Sequence, residues 1–515
     1  MSVPAELQSN PTTGENKIPD TEGKKKRIYL NAFDMFSVSH LSPGQWKVSQ
    51  SPLSLFIQHQ HQETLTSCIF KRKGDQNATK RNLDYWINLA KLLDRGGFDM
   101  LFLADTYGGY DTYQGSLDEC IRRGAQWPVL DPIIPISAMA AVTKNLTFGV
   151  TASTSFEPPF LLAKRLSTLD HLTKGRVAWN IVTSWKKGAF KAIGLDSPVE
   201  HDQRYAVADE YMDVVYKLWE SSWSDDAIEE DVDNDTYANP DKVRQINHHG
   251  KFFNLETRHI VDPSPQRTPL LFQAGTSLAG SGFAAKHAEA VFVTGQSASA
   301  LRPKVDNVRS LAKAQGRDPD SVKFFVTYVP IIGRTEDEAQ AKYHEFRKHA
   351  SVIGALVLFS GQTGVDASNI PLDDEVLTAE HSSSENKVQS ELYNLLAGGA
   401  DASGSTLRSV TEKVAIGVLA PVVVGSPTTV ADTLQTFAEE SGVDGFNLIH
   451  VTSPGSFGDV VEFLIPELRR RGVYPEPAEE DEQLTARERI YGPGQSRLRD
   501  DHPGSQFKYD AYQEE

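Results

Sequence analysis

Short apolar runs that end in polar residues recur along the chain, with helical patterns between them. Eight runs are predicted as strands: 28–34, 100–105, 146–153, 177–184, 269–275, 290–294, 322–328 and 445–450. Strands that alternate with helices are typical of a parallel sheet, where ligands bind at the carboxyl ends of the strands. We therefore expect Asp105, Thr151, Asn180, Thr183 and Ser184 to converge on one pocket, which makes the chain a candidate enzyme.

Eight strand–helix units are the number expected for a (β/α)8 TIM barrel, an α/β fold, with its site on the loops after the strands. A doubly wound sheet is the alternative that this pattern leaves open. Apolar residues on one face predict a helix over 82–95, ended by Gly96 and Gly97. Further helices are predicted over 131–141, 200–221 and 459–471.

The spacing of the strands indicates one large domain over 27–474, between a disordered tail (1–26) and a polar tail (475–515). The C-terminal tail is expected to lie along the surface or to reach a neighbouring subunit. Three connections are too long for simple loops. They span about 43–74, 222–260 and 350–424, and we expect such insertions to cover the carboxyl mouth of the barrel. Within the second insertion, residues 225–254 are acidic and are expected to be irregular.

Composition places the chain among globular proteins, with 39% hydrophobic and 23% charged residues in 515. A net charge of −17 argues against a nucleic-acid partner, because phosphates would be repelled. The basic run 24–27 is interpreted as part of a solvated tail. Neither a signal peptide nor a bilayer-spanning run is evident, and only Cys68 and Cys120 occur. These features favour a reducing cytoplasm and no membrane contact.

Metal-dependent hydrolysis is a rival chemistry for a barrel, and two histidine pairs raise it. His59 and His61 have a suitable spacing, but they do not follow a convincing strand. His248 and His249 lie in a polar loop. Metal-bound imidazoles need a rigid outer shell, which neither pair offers, so no metal is predicted. A nucleophile elbow of the Gly-x-Ser-x-Gly type does not occur, and the cysteines are interpreted as packing residues.

An anion site is indicated where the fifth predicted strand runs into Gly275, Thr276 and Ser277 before a helix. Glycine allows close backbone approach, and free N–H groups at a helix start attract phosphate. An ordinary serine cap explains the same residues. His201 and Tyr205, one turn apart on another helix, are suited to a phosphate or to a helix-start network. Both alternatives stay open at this point.

Several longer motifs occur in order, at 31–35, 102–105, 167–176, 178–184, 263–269 and 444–448. Through them the chain resembles the bacterial-luciferase-like flavin-dependent monooxygenases. Within that superfamily it resembles the nitrilotriacetate monooxygenase component A group, which also contains dibenzothiophene sulfone and long-chain alkane monooxygenases. The resemblance extends from about 27 to 474 and implies a TIM barrel.

The resemblance implies a two-component monooxygenase that receives reduced FMN (FMNH2) from a separate NAD(P)H:FMN reductase. A C4a-(hydro)peroxyflavin formed with molecular oxygen would oxygenate a small organic substrate. A homodimer or homotetramer is expected. The FMN-binding positions implied are Asp105, Thr151, Thr183, Ser184, His201, Tyr205, Thr276 and Ser277. Of these, His201, Tyr205 and Ser277 would hold the phosphate, and Asp105 and Thr151 would lie nearer the ring or ribityl chain.

At the reactive end, the resemblance implies His40, Tyr110 and Gln126. The alkane enzyme has Cys where this chain has Ser37 and His where it has Trp185, and a His-bearing stretch is replaced near 356–359. Ser37 and Trp185 are therefore expected in a changed substrate pocket. Two further hypotheses remain: hydride transfer with a flavin or deazaflavin, and a flavin-binding paralogue whose active site has decayed.

Overall fold

The computed structural model describes residues 25–50, 75–275, 277–369, 408, 411–412, 415–476 and 483–512. Its strands are β1 Tyr29–Met35, β2 Met100–Ala104, β3 Thr147–Ser153, β4 Val177–Val182, β5 Ile228–Asp231, β6 Thr236–Ala238, β7 Ile246–His249, β8 Asn254–Thr257, β9 Leu270–Ala274, β10 Ala290–Val293, β11 Lys323–Ile332, β12 Val422–Gly425 and β13 Gly445–Ile449. Eight of them close a parallel barrel in the order β1-β2-β3-β4-β9-β10-β11-β13, and β13 pairs with β1. The TIM-barrel prediction is confirmed, and the doubly wound alternative is wrong.

The helices pack around this barrel. They are α1 Leu83–Gly96, α2 Asp118–Arg123, α3 Ile136–Ala140, α4 Pro159–Thr173, α5 Lys187–Ala192, α6 His201–Tyr216, α7 Leu278–His287, α8 Ala298–Ala314, α9 Glu336–His349, α10 Val352–Thr363, α11 Pro427–Ser441, α12 Gly455–Asp459, α13 Ile465–Arg470 and α14 Glu488–Tyr491. Single π-helical turns extend α6 over Lys217–Ser221 and join α12 to α13 over Val460–Leu464. Among the described residues, no helix has the length and apolar character needed to cross a bilayer.

The register of the closing strands is fixed inside the barrel by a polar pair. Asn31 of β1 lies opposite Asn447 of β13, and its side-chain amide donates to the Asn447 carbonyl oxygen at 2.9 Å. Both side chains are buried, so an unpaired amide here would cost stability. A slip by one residue would break this pair and turn the apolar positions of β1 away from the core.

The amino-terminal half of the barrel is filled by aromatic side chains. The ring centroids of Phe102 and Phe292 lie 4.3 Å apart, and Phe272 and Phe292 stack at 5.0 Å. Phe325 extends the same cluster. Ligand binding at the carboxyl ends of the strands stays a prediction.

The C-terminal segment closes the amino end of the barrel. Ala486 and Ile490 pack on the aromatic cluster, and the wholly buried Arg487 pairs with Glu289 at 2.7 Å. The guanidinium also donates to the carbonyls of Thr268 and Pro269. The prediction that this tail lies along the surface is therefore wrong for Ala486 and Arg487, which are buried, whereas α14 itself contains no buried residue.

Two predicted elements are corrected. The helix expected from Asp131 begins only at Ile136, since the Asp131 carboxylate accepts the backbone N–H of Ile133 and forms a turn instead. The acidic stretch 225–254 is not irregular, because it contributes to two antiparallel hairpins, β5–β6 and β7–β8. Its acidic composition concealed the turn at Asp231, whose carboxylate accepts the N–H groups of the two residues at the bend.

Candidate active site

The ends of β3 and β4 are joined by side chains at the mouth. The Asn180 amide donates to the Thr151 hydroxyl at 3.0 Å, and the hydroxyls of Ser153 and Ser184 lie 2.8 Å apart. Ser184 has φ +45°, a backbone conformation that residues other than Gly, Asn and Asp seldom adopt. The Arg204 guanidinium donates to the Ser184 carbonyl and ties this strained turn to α6. Such strain is often found where a ligand is positioned.

A cradle between α6 and α7 brings together three predicted phosphate-binding residues. Ser277 caps α7, and its hydroxyl lies 3.4 Å from Nε2 of His201, the first residue of α6. The Tyr205 hydroxyl projects over Gly275 and Gly280, where a Cβ atom would approach it to 2.9 and 2.8 Å. The position of the Tyr205 hydroxyl therefore requires glycine at both positions.

The two structural alternatives for these residues are also present. Ser277 accepts the backbone N–H of Gly280 at 3.1 Å, as an ordinary cap does. Nδ1 of His201 lies 2.7 Å from the Asp202 carboxylate, in a helix-start contact. Neither contact uses the Tyr205 hydroxyl, which has no hydrogen-bond partner among the described residues, so capping alone does not explain the cradle. Thr276 lies outside the described residues.

The predicted reactive residues form a continuous chain of hydrogen bonds. The Tyr110 hydroxyl donates to Oε1 of Gln126 at 3.1 Å, and the Gln126 amide donates to the His40 carbonyl at 3.1 Å. All three residues are buried, and Gln126 has φ +54°. Burial raises the pKa of Tyr110 to about 12, so its phenol stays a neutral donor. The structure thus places these three residues, from two separate loops, in one wall.

His40 is a neutral imidazole at physiological pH. Burial lowers its pKa to about 3, and its ring packs edge-on against Phe33 at 4.4 Å between centroids. The Nδ1 atom is buried and has no hydrogen-bond partner among the residues that the structure describes. His40 is therefore suited to donate or accept a hydrogen bond but not to act as an imidazolium acid.

Behind His40 lies a buried network that the sequence analysis missed. Asp34, at the end of β1, accepts hydrogen bonds from the Lys80 ammonium, from Nε2 of His450 at 2.8 Å and from the Tyr85 hydroxyl at 3.3 Å. Lys80 and His450 hold the pKa of Asp34 well below its ordinary range, although burial opposes them. No local motif marks Lys80 or His450, and only their position beside Asp34 in the fold reveals them.

The cluster of Asp34, His40 and His450 has the composition of a metal site, with potential ligand atoms within 4.8 Å of one another. However, the Lys80 ammonium already neutralises the carboxylate and hydrogen-bonds the same oxygen as His450. A dication there would meet a buried positive charge, so we interpret the cluster as an ion-pair network. His248 is likewise engaged, by Glu210 and Lys217, and His59 and His61 lie outside the described residues.

The two residues expected in the substrate pocket differ in exposure. Ser37 is buried, and its hydroxyl donates to the Ser39 carbonyl at 2.5 Å, so it braces the loop that carries His40. Trp185 is 51% exposed and does not fill a cavity. The apolar helix α10 covers Tyr110, and the ring occupies the space in which a Cβ on Gly361 would lie. This part of the third predicted insertion therefore packs against the reactive wall.

Asp105 follows β2 and faces the mouth. Its carboxylate accepts the backbone N–H of Thr106 at 2.8 Å, but burial raises its pKa to about 7. The carboxyl is therefore partly protonated at neutral pH, as suits a hydrogen-bond donor to a ligand oxygen or nitrogen. Thr183 contributes its carbonyl to the Ser155 hydroxyl at 2.6 Å.

Comparison with known proteins identifies relatives along almost the whole chain. A family model described as luciferase-like monooxygenase matches residues 63–445. The chain is 43% identical to the dimethyl-sulfide monooxygenase of Hyphomicrobium sulfonivorans over 488 residues, which cover 95% of both proteins. It is 42% identical to the long-chain alkane monooxygenase of Geobacillus thermodenitrificans over 483 residues, covering 94% of this chain and 98% of that one.

Solved structures agree with these sequence matches. The crystal structure of DmoA from Hyphomicrobium sulfonivorans superposes with a TM-score of 0.83 at 42% identity, covering 94% of this chain and 96% of that one. The crystal structure of riboflavin lyase with modified FMN and the substrate riboflavin has a TM-score of 0.76 at 34% identity, covering 94% and 100%.

Proposed function

The chain belongs to the luciferase-like monooxygenase family, and from this premise we propose that it is the oxygenase component of a two-component, FMNH2-dependent system. A separate NAD(P)H:FMN reductase supplies the reduced flavin, and one atom of molecular oxygen enters a small organic substrate. The family resemblance expected from the motifs is confirmed by the relatives. Their names include dimethyl sulfide and long-chain alkanes, so family membership does not identify the substrate of this chain.

The cradle between α6 and α7 is the observation that carries the FMN assignment. Its donor set consists of two hydroxyls, of Tyr205 and Ser277, and the imidazole of His201, beside the N-terminus of α7. Hydroxyls, an imidazole and free helix N–H groups are the groups that bind phosphate well. The Tyr205 hydroxyl, which has no hydrogen-bond partner among the described residues, is free to bind a phosphate oxygen. These residues therefore fit the phosphate of FMN.

The rest of the flavin would extend across the mouth from this cradle. Asp105, Thr151, Thr183 and Ser184 are assigned to its ring and ribityl chain. Reduced FMN supplies the electrons for oxygen activation. The backbone of His40 is held by Gln126 and, through it, by Tyr110, and its neutral imidazole can hydrogen-bond a ligand at the reactive end. The helix α10 covers Tyr110 and limits the access of water. The oligomeric state and the cytoplasmic location stay predictions.

The phosphate assignment is tested by the double variant Tyr205→Phe/Ser277→Ala. Loss of two hydrogen bonds to a charged phosphate should weaken FMN binding by about 100-fold or more. Anaerobic titration of FMNH2 measures this, and riboflavin, which lacks the phosphate, is the matched ligand. Riboflavin affinity should be the same in both proteins. An unchanged affinity for FMNH2 would place the phosphate elsewhere.

Isotope labelling separates oxygenation from hydride transfer. With FMNH2, 18O-labelled oxygen and a panel of alkanes, sulfides and carboxylates, the proposed enzyme yields a product that carries one labelled oxygen atom. A hydride-transfer enzyme would convert a substrate without incorporating the label. A decayed paralogue would bind FMN and convert no member of the panel.

A further inference from the structure

A lysine that the sequence analysis did not single out lies in the reactive wall. The Nζ atom of Lys186 is 3.5 Å from the centroid of the Tyr110 ring and donates to the Gly108 carbonyl at 3.2 Å. The ammonium therefore touches the residue that leads through Gln126 to His40. Lys186 directly follows Trp185, which leaves an exposed aromatic surface next to the cation.

The Lys186 ammonium has no anionic partner in the part of the chain that the structure describes. Among the described residues, no carboxylate oxygen lies within 4.0 Å of its Nζ, whereas the buried Lys80 is paired with Asp34. Burial lowers the pKa of Lys186 to about 8, and Cys120, Asp111 and Asp105 oppose that shift from a distance. One carbonyl and one aromatic face do not fully replace the hydration of an ammonium group. The cation is thus available to a ligand.

The position of this ammonium is set by tightly packed loops. A Cβ atom on Gly108 would come within 2.8 Å of the Ala189 backbone nitrogen, so the loops after β2 and β4 are in direct contact. Lys186 immediately precedes α5, and its carbonyl accepts the Ala189 N–H at 3.0 Å. Tyr110 is fixed from the other side by Gln126 and Gly361. The charge is therefore pre-organised and does not sit on a free surface chain.

We propose that Lys186 is an anion-binding residue at the reactive end of the mouth. The ligand, if the proposed function holds, is a negatively charged group that lies against Tyr110. Two molecules of the proposed reaction carry such a group: a substrate with a carboxylate or sulfonate, and the anionic ring of reduced flavin. The carboxyl of Asp105 would oppose either anion when ionised, but its raised pKa keeps it partly neutral near pH 7.

The experiment compares Lys186→Met with Lys187→Met, a change of the adjacent exposed lysine. Dissociation constants are measured by calorimetry for octanoate against 1-octanol, benzoate against benzyl alcohol, and anaerobic FMNH2 against oxidised FMN. In each pair the first ligand carries the extra negative charge. Lys186→Met should weaken binding of the member with the extra charge by about 10- to 100-fold and leave binding of its less charged partner unchanged. Lys187→Met should change neither.

The pattern of losses identifies the source of the anion. If only the affinity for octanoate or benzoate falls, the ligand of Lys186 is an anionic substrate. If only the affinity for FMNH2 falls, the ligand is the anionic ring of reduced flavin. If the affinities of Lys186→Met equal those of the wild type for all six ligands, or if Lys187→Met has the same effect, the proposal is overturned. Unchanged binding of oxidised FMN shows that the fold and the flavin site are intact, so this failure is distinct from failure of the proposed function.

A pH series adds a readout that a packing role of Lys186 would not produce. Wild-type affinity for the sensitive anion should fall as the pH rises through about 8, where the free ammonium loses its proton. Lys186→Arg should keep that affinity above pH 8, because a guanidinium does not titrate in this range. Affinities of wild type and Lys186→Arg that do not diverge at high pH would contradict an ionic role.

Discussion

The ammonium of Lys80 and the carboxylate of Asp34 form an ion pair behind the reactive wall, with side chains only 2% and 0% exposed. Ligand atoms of Asp34 and His40 lie within 4.8 Å of each other. The same carboxylate binds His450, which lies 416 positions further along the chain. The Asp34 carboxylate therefore links β1 to the residue that follows β13, at the point where the barrel closes, and Lys80 neutralises its charge.

Lys80→Met should lower the free energy of unfolding by about 3–5 kcal/mol, because it leaves a buried carboxylate without its cation. Urea unfolding at neutral pH measures the loss. The exposed Lys91→Met in α1 is the matched control, expected to change stability by less than about 0.5 kcal/mol. The double variant Asp34→Asn/Lys80→Met should lose less free energy of unfolding than Lys80→Met alone. An equal or greater loss in the double variant would contradict the ion pair.

Acid should remove the stability that Asp34 provides. The pKa of Asp34 is lower in the folded protein than its ordinary value of 3.8, so its contribution is complete above that value and is lost as the pH falls below it. Asp34→Asn should accordingly show a shallower decline in stability between about pH 4 and about pH 2 than the wild type. Parallel acid-unfolding curves of the two proteins would argue against the depressed pKa.

Two glycines of α7 provide a matched test of the phosphate cradle. Gly280→Ala places a methyl group 2.8 Å from the Tyr205 hydroxyl, whereas Gly282→Ala points into open space. We expect Gly280→Ala to weaken FMNH2 binding by about 10-fold or more, because the tyrosine must move. Gly282→Ala should leave binding unchanged and stabilise the helix by up to about 1 kcal/mol. Equal FMNH2 affinities of the two variants would show that the cradle is not the flavin site.

Asp105 should make the apoprotein less stable as the pH rises. Its pKa in the folded protein is about 7, above the ordinary 3.8, so the folded state holds the proton more tightly. The contribution of Asp105 to the free energy of unfolding is highest below about pH 4, declines up to about pH 7 and is constant above that. Between about pH 4 and about pH 7, the free energy of unfolding of the wild type should fall by on the order of 2 kcal/mol relative to that of Asp105→Asn. Urea unfolding at several pH values checks the sign, and a gain with rising pH would refute it.

Arg487→Met should destabilise the barrel by about 3–5 kcal/mol, since Glu289 would remain buried without its partner. Lys508→Met removes an ion pair with the exposed Asp500 and should leave the melting temperature nearly unchanged, because solvent screens that pair. Thermal unfolding of the two variants distinguishes an integral C-terminal segment from a dispensable one. Similar melting temperatures would contradict the closure of the barrel by α14.

Most of the barrel strands are apolar runs, a pattern that fully covered parallel strands require, so the sequence predicted a parallel sheet. The pattern left a doubly wound sheet open, and the family resemblance favoured the closed barrel. The two local motifs that contain Gly275, Ser277, His201 and Tyr205 left a phosphate site and an ordinary capping role equally open. Only the family resemblance favoured phosphate, and that assignment stays a prediction. The structure adds the reason for a second glycine, Gly280, which only the approach of the Tyr205 hydroxyl explains.

What the sequence did not reveal depends on contacts between distant positions. Lys80 and Lys186 lie in short polar segments, where a lysine is normally solvated. Their burial follows from packing against Asp34 and Tyr110, on other elements. Arg487 was overlooked for the same reason, because its polar neighbours suggested an exposed tail. Periodicity identifies the face of an element, but it does not show which charged side chain another element will cover.

Reoxidation of bound FMNH2 tests the central claim, that the mouth binds reduced flavin and controls its reaction with oxygen. The anaerobic protein–FMNH2 complex is mixed with oxygenated buffer in a stopped-flow instrument, and flavin absorbance and hydrogen peroxide are followed together. The proposed function predicts that oxidised FMN and peroxide appear at least about tenfold more slowly than from free FMNH2, because protein around the bound flavin would exclude water. Tyr205→Phe/Ser277→Ala should restore the rate of free flavin. Reoxidation of the wild-type complex at the free rate, with FMNH2 shown to be bound, would contradict the account.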